Sequence, residues 1–525
     1  MRDVSKPVEA ASPTKAWTAA AVVVVALGLA ARLSIILRPV PVLESRYLAD
    51  DFFYYLNIAR HIAAGRGSSF DGGVTATNGY NPLYVWLLSL AFWLGAGKAA
   101  AIRVGLLIQA VSAAIAGWLA FRSCRRREAP RAGLLAAGVL SCSPFFVWPT
   151  LSGFELGLSL LATFVALELW DRAGTPAWLL GIACGVAFYA RADGLAVPVV
   201  FLLTLAKRRR WTEAAILTSA FAITVAPFCV WSAVRFGVVL PGSAVEKTHV
   251  RSLASISASL QTFASTLPSI LVSNRILDRA PRLVVVVLSG VVGLLCLRGA
   301  RRLGAQRALL CAAIIGAYTT ITDGFEPGAL KRYLFPAWAL LLMSAALELD
   351  RGRWTRARPV QSFVRFEPAA HTFAIALIVW AALSDCLLLV RWDRVAKPAS
   401  SYVAVSSAIA PELATYVSDG ARVASFDSGA LGYFSTVPVI NLDGLVNQDI
   451  PRVRRACGPE SYESCLLRYM HDKHATVFVG STAFGWPAIF PDWRAWTRLH
   501  ESSPLADGSS IVVLRVPAFD GAGVR

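Results

Sequence analysis

Residues 17–37 read WTAAAVVVVALGLAARLSIIL. An apolar run of this length forms a helix of about 30 Å, the thickness of the hydrocarbon core of a bilayer. It is longer than the core of a secretory signal, so it reads as a retained membrane anchor. Further apolar runs follow at 100–121, 132–149, 155–170, 177–190, 194–206, 213–234, 283–299, 308–321, 333–349 and 372–391, about eleven spans in all. Composition agrees with this reading. Of 525 residues 56% are hydrophobic and 16% charged, with a mean hydropathy of +0.55. Soluble domains carry about 25% charge. Disorder, collagen, coiled coil and a secreted disulfide scaffold are excluded.

The net charge of +18 is placed by the spans. Arg2, Lys6 and Lys15 precede the first span. Arg125-Arg126-Arg127 follow the second, Lys207-Arg208-Arg209-Arg210 the sixth, Arg301-Arg302 the eighth, and Arg351, Arg353, Arg356 and Arg358 the tenth. All fall on one side, which the positive-inside rule makes cytoplasmic. The N-terminus is then inside and the C-terminus outside. Residues 82–95 are apolar but too short to cross, and counting them as a span would reverse every later loop. They read as a segment at the outer surface.

The predicted fold class is therefore an α-helical polytopic membrane protein with a small soluble α/β domain after it. Residues 1–391 form the transmembrane domain, with outer loops at 38–99 and 235–282, and residues 392–525 the extracytoplasmic tail. The tail shows a helical pattern from Ala410 to Val417. Strand-like runs lie at 422–426, 437–442, 476–479 and 510–516. Of nine cysteines, Cys457 and Cys465 lie in the tail and are placed to pair in an oxidising compartment.

The first outer loop carries the densest chemistry. Asp50-Asp51-Phe52-Phe53-Tyr54-Tyr55-Leu56-Asn57-Ile58-Ala59-Arg60 has helical periodicity, with both acids at the start. Carboxylates there suit the helix dipole, or they hold a base or a metal ion at the membrane surface. Gly65-Arg66-Gly67 and Thr77-Asn78-Gly79-Tyr80-Asn81-Pro82-Leu83 follow as a polar, aromatic loop. Glu155 begins the fourth span, as a cap or as a second functional acid. Arg191 stands between two short spans, as an ion-pair partner of Asp193 or as an anion ligand. Lys247 and the pair Lys331-Arg332 are outer-face cations, snorkelling to the interface or holding an anion. His471 and His474 lack a third ligand. Phosphate-loop, dinucleotide-binding and zinc motifs do not occur.

The first-loop motifs resemble those of the GT-C class of membrane glycosyltransferases. That class includes protein mannosyltransferases, the lipid A aminoarabinose transferase and mycobacterial arabinofuranosyltransferases. The span order is similar too, as are the tail stretches Phe426-Asp427-Ser428-Gly429-Ala430-Leu431-Gly432-Tyr433-Phe434 and Asn441-Leu442-Asp443-Gly444-Leu445-Val446-Asn447. The resemblance implies a multi-pass enzyme of the bacterial cytoplasmic (inner) membrane. Such an enzyme takes a sugar from a polyprenyl-phosphate donor and passes it to a glycan, lipid or protein acceptor on the extracytoplasmic face, with inversion. It puts the catalytic acid on Asp51, with Asp50 as alternative or partner and Glu155 as a second acid. It assigns substrate binding to Arg191, Lys247, Lys331, Arg332, Tyr55, Asn78 and Tyr80. Lys247 lies in Leu240-Pro241-Gly242-Ser243, where related enzymes have Asn-Thr in place of Gly242-Ser243. A divalent metal ion at Asp50, Asp51 and Glu155 is compatible with the class and not required by it. The rival reading is a transporter or flippase of lipid-linked sugars, with the same acids as an ion site; the acids sit at span ends rather than at a midplane site between repeats.

Overall fold

The computed structural model describes residues 13–248, 251–321, 331–350, 367–395, 401–457, 462–505 and 507–518. Each of the eleven apolar runs contains a helix. They are Pro13–Ile36, Lys98–Arg125, Pro130–Cys142 with Pro144–Leu151, Leu156–Asp171, Ala177–Ala190, Ala196–Lys207, Trp211–Phe236, Arg282–Leu303, Ala305–Ile321, Phe335–Leu349 and Glu367–Val395. By length and composition four helices among the described residues suffice to cross a membrane, or five if one bent pair is a single span. Five others have 12 to 17 residues, so helix length by itself does not give eleven crossings.

The bent pair is the run 132–149, which breaks at Ser143 and turns by 43°. Pro144 disfavours a helical conformation at the residue before it, and Ser143 is extended. The break leaves carbonyls without helical donors. Arg32, buried in the first helix, supplies them: it donates to the carbonyls of Leu140 and Ser141 and to Thr150 Oγ1. Outward, Trp211–Phe236 presents Ile223, Val230 and Val234, the last 84% exposed. Such an apolar face suits lipid.

Pro82–Trp93 is a helix of 12 residues, about 18 Å long at 1.5 Å per residue, and too short to span. Trp86, Leu90 and Trp93 are exposed along it. It packs against the loop helix Asp50–Ala63, itself amphipathic.

The tail is a mixed five-stranded sheet in the order β2-β1-β3-β5-β4. The strands are β1 Arg422–Ser425, β2 Val439–Asn441, β3 Ala475–Ser481, β4 Arg498–Glu501 and β5 Ile511–Arg515. β1 runs parallel to β2 and β3, and β5 antiparallel to β3 and β4. Strand β4, outside the sequence expectation, is a polar edge strand without a fully buried residue. The helix placed over 410–417 lies earlier, at Tyr402–Ile409, and continues only as a tighter turn over Ala410–Thr415. Pro411 at the start of that turn lacks the amide that would continue the α-helical ladder. Phe478, Trp486, Phe490, Trp493 and Trp496 fill one face of the sheet. Cys457 and Cys465 are disulfide-bonded.

Candidate active site between the outer loops

A cavity of ≈ 420 Å³ opens where the loops 38–99 and 235–282 meet the ends of the helices. Asp51 and Tyr55 enter it from one face of Asp50–Ala63, four residues apart and so stacked on that helix. Glu155 enters from the start of Leu156–Asp171, where its side chain makes no capping bond. Arg191 and Asp193 come from the short turn between Ala177–Ala190 and Ala196–Lys207, Lys247 from the loop 235–282, and Arg332 from just before Phe335–Leu349. Leu195, Val199, Ala313 and Ile314 continue the wall as an apolar flank.

The charges are paired in a chain. Arg332 Nη1 donates to Asp51 Oδ2 at 2.7 Å, and its guanidinium lies 4.5 Å from the Phe154 ring centre and 4.9 Å from that of Tyr333. Tyr55 Oη donates to Glu155 Oε2 at 2.8 Å and accepts from Asn81 Nδ2 at 3.1 Å. Arg191, 5% exposed, stands 3.4 Å from Glu155 Oε1 and 3.2 Å from Asp193 Oδ2. The pair with Asp193 read from the sequence is present, and Glu155 joins it. Tyr318 Oη accepts from Arg191 and donates to Asp193. Lys247 differs. No carboxylate among the described residues lies within ion-pair distance of it, and its ammonium sits 5.9 Å from the Tyr333 ring centre. Burial pushes the Asp51 carboxyl up, but Arg332 and Lys247 outweigh it and hold it below the ordinary carboxylate range. Asp51 is therefore a carboxylate at neutral pH.

Four residues named from the sequence stand apart. The Asp50 carboxylate turns away and accepts the backbone N–H groups of Gly429 and Ala430 in the tail, each at 2.8 Å. Asn78 is buried and ties the first loop to Ser232 Oγ at 2.7 Å. Tyr80 accepts from Ser68 Oγ at 2.9 Å and sets its ring edge-on to Phe228. Lys331 lies 5.7 Å from the Phe145 ring centre, off the cavity wall. The sequence reading named Asp193 only as a partner and passed over Tyr318, although a tyrosine and two threonines late in an apolar run signal a polar task.

Asp50, Asp51 and Glu155 do not converge, and no group of three metal-ligating side chains forms among the described residues. Asp51 and Glu155 each face an arginine instead. These carboxylates therefore form no all-protein cage for a divalent cation among the described residues.

A domain family of unknown function (DUF8728) matches residues 397–514. No curated protein matches the sequence. Among solved structures, ArnT from Cupriavidus metallidurans superimposes with a TM-score of 0.61 at 15% identity, covering 96% of this chain and 98% of that one. The oligosaccharyltransferase AglB from Archaeoglobus fulgidus, in complex with an inhibitory peptide and a dolichol-phosphate, gives 0.55 at 14% identity, over 97% and 75%. The same organism's oligosaccharyltransferase with Zn and sulfate gives 0.55 at 13%, over 88% and 68%. Superimposing on ArnT over nearly the whole length of both chains, the chain has the fold of the GT-C glycosyltransferases.

Proposed function

We propose that the protein is a GT-C-type membrane glycosyltransferase. It moves a sugar from a polyprenyl-phosphate donor to a hydroxyl-bearing glycan, lipid or protein acceptor on the extracytoplasmic face. The observation that carries this reading is Asp51, an ionised carboxylate, sharing a cavity with Arg332 and with Lys247, which pairs with no carboxylate among the described residues.

The chemistry follows from these groups. Asp51 accepts the proton of the acceptor hydroxyl as its oxygen attacks the anomeric carbon. The bond from that carbon to the phosphate oxygen breaks, and the phosphate leaves with the electron pair. One displacement inverts the centre. Asp51 loses one negative charge as the leaving phosphate gains one, so the cavity's net charge is constant. Arg332 already contacts Asp51 and is the cation placed to follow that charge, while Lys247, which faces no carboxylate among the described residues, takes the phosphate from the start. Arg191, held by Glu155 and Asp193, keeps the wall rigid and polar. The apolar flank at Leu195, Val199 and Ile314 suits the first isoprene units of a lipid donor.

The test is release of labelled sugar from a panel of radiolabelled polyprenyl-phosphate sugars by the purified protein in detergent. Transfer from one donor to acceptor or water supports the reading. Carrier lipid that binds and never loses its sugar overturns it in favour of transport.

A further inference from the structure

The short tail helix Gly429–Phe434 is held by the first outer loop at both ends. Asp50 accepts the amides of Gly429 and Ala430 at its start. At its end Arg60 donates to the carbonyl of Tyr433 at 3.2 Å and Lys98 to that of Phe434 at 3.3 Å. Between them Phe53 packs on Tyr433 and Phe434, with ring centres 5.6 and 5.5 Å apart. Tyr54 Oη donates to Asp443 Oδ2 and accepts from Ser428 N–H and Asn441 Nδ2, at 3.2–3.3 Å. All but Lys98 of these loop residues belong to Asp50–Ala63, the helix that presents Asp51.

The tail then reaches the second outer loop. Arg454 pairs with Glu246 at 3.1 Å, one residue before Lys247. The stretch from Asp443 to Leu445 lies between the loops: a Cβ on Gly79 would come within 1.8 Å of Leu445 O. A Cβ on Gly429 would come within 2.2 Å of Asp50 O. Real Cβ atoms do not approach backbone so closely, so both seams need glycine. Both oxygens of the Asp50 carboxylate are committed to the tail.

We propose that the tail, the region matched by the family of unknown function, is a clamp that fixes Asp51 and Lys247 relative to one another. Asp50 is its positioning residue and not a second catalytic acid. The inference rests on the transferase reading for its effect on rate and on geometry for the contact itself. Were release from the tail to move the Asp51 carboxylate by about 1 Å, the cost would be about 100-fold in rate.

The experiment compares full-length Asp50→Asn, Asp50→Ala and Asp51→Asn for sugar transfer and for amide hydrogen exchange over 426–434 and 50–63. Asp50→Ala is expected to lose protection in both segments and about 100-fold in transfer. Asp50→Asn keeps one of two acceptor oxygens and is expected to lose about tenfold, the scale of one hydrogen bond to a backbone amide. Asp51→Asn is expected to lose about 10²- to 10⁴-fold in transfer with wild-type exchange. Two results overturn the proposal: both Asp50 variants silent with unchanged exchange, or exchange lost while transfer stays at the wild-type rate. Should the wild type transfer no sugar, the function reading fails on its own. Exchange then decides alone, with unchanged protection in Asp50→Ala refuting the clamp.

Discussion

Asp51→Asn separates a base from a helix-end charge. Asparagine preserves size and still offers a carbonyl oxygen to Arg332, 2.7 Å away, so the loop helix and its tail contacts stay in place. What is lost is the proton acceptor. General-base catalysis contributes about 10²- to 10⁴-fold, equivalent to about 2.7–5.4 kcal/mol of barrier. The loss falls on kcat. Arg332, relieved of a competing carboxylate, becomes a better phosphate ligand, so the donor KM stays level or falls. The assay follows label leaving the polyprenyl-phosphate carrier over time at several donor concentrations, with wild type and variant purified in parallel. Were Asp51 only an acid at a helix N-terminus, the substitution would cost about 0.3–1 kcal/mol of stability and leave the rate unchanged. Wild-type kcat in a folded Asp51→Asn protein refutes the assignment. So does a raised donor KM with kcat intact, which makes Asp51 a binding group.

Lys247→Met removes the cation that is unpaired among the described residues, and the donor KM is expected to rise about tenfold or more with a smaller effect on kcat; donor titration in the transfer assay checks it. Arg191→Met leaves Glu155 and Asp193 as buried carboxylates without a cation, at a cost of about 3–5 kcal/mol, visible as a lowered unfolding temperature in detergent. Asp51 is held below the ordinary carboxylate range, so its ionised form persists as pH falls. Transfer is expected to survive from pH 7 to pH 5 and to fall only below the free aspartate value of about 3.9; a pH–rate profile decides. The tail seam behaves oppositely. Burial, reinforced by neighbouring acids, raises Asp50 to about 7, Asp427 to about 8 and Asp443 to about 6. These folded values lie above those of the freed groups, so docking loses free energy as pH rises through 6–8. Hydrogen exchange over 426–434 should quicken across that window by more than the intrinsic rate.

The membrane half was legible because its code is one-dimensional: a helix appears in every apolar run, whatever the neighbours do. The breaks were harder. Pro144 marks the bend in 132–149, but the compensating Arg32 is more than a hundred residues away, and only packing reveals the pair. Strand β4, with its polar edge sequence, carries too little alternation to be read. In the site, Asp51, Glu155, Arg191, Lys247 and Arg332 converge from five separate places in the chain. Residue type, position in loops and at span ends, and the resemblance to the GT-C class together named them; none of these said which acid faces which cation.

Asp50 and Asp51 show why adjacency misleads. Read as a string, two neighbouring acids look like one site, either a catalytic pair or two metal ligands. On a helix, successive residues point about 100° apart. Asp51 and Tyr55 share one stripe and face the cavity. Asp50, Tyr54, Asn57 and Arg60 share another, and of these Asp50, Tyr54 and Arg60 bond to the tail. The same fourteen-residue helix therefore has a chemical face and a docking face. A carboxylate is suited to both for different reasons, one to accept a proton and the other to accept two backbone amides. A helix that must hold its base to within half an ångström benefits from being gripped one residue away from it, where docking cannot obstruct the reacting groups.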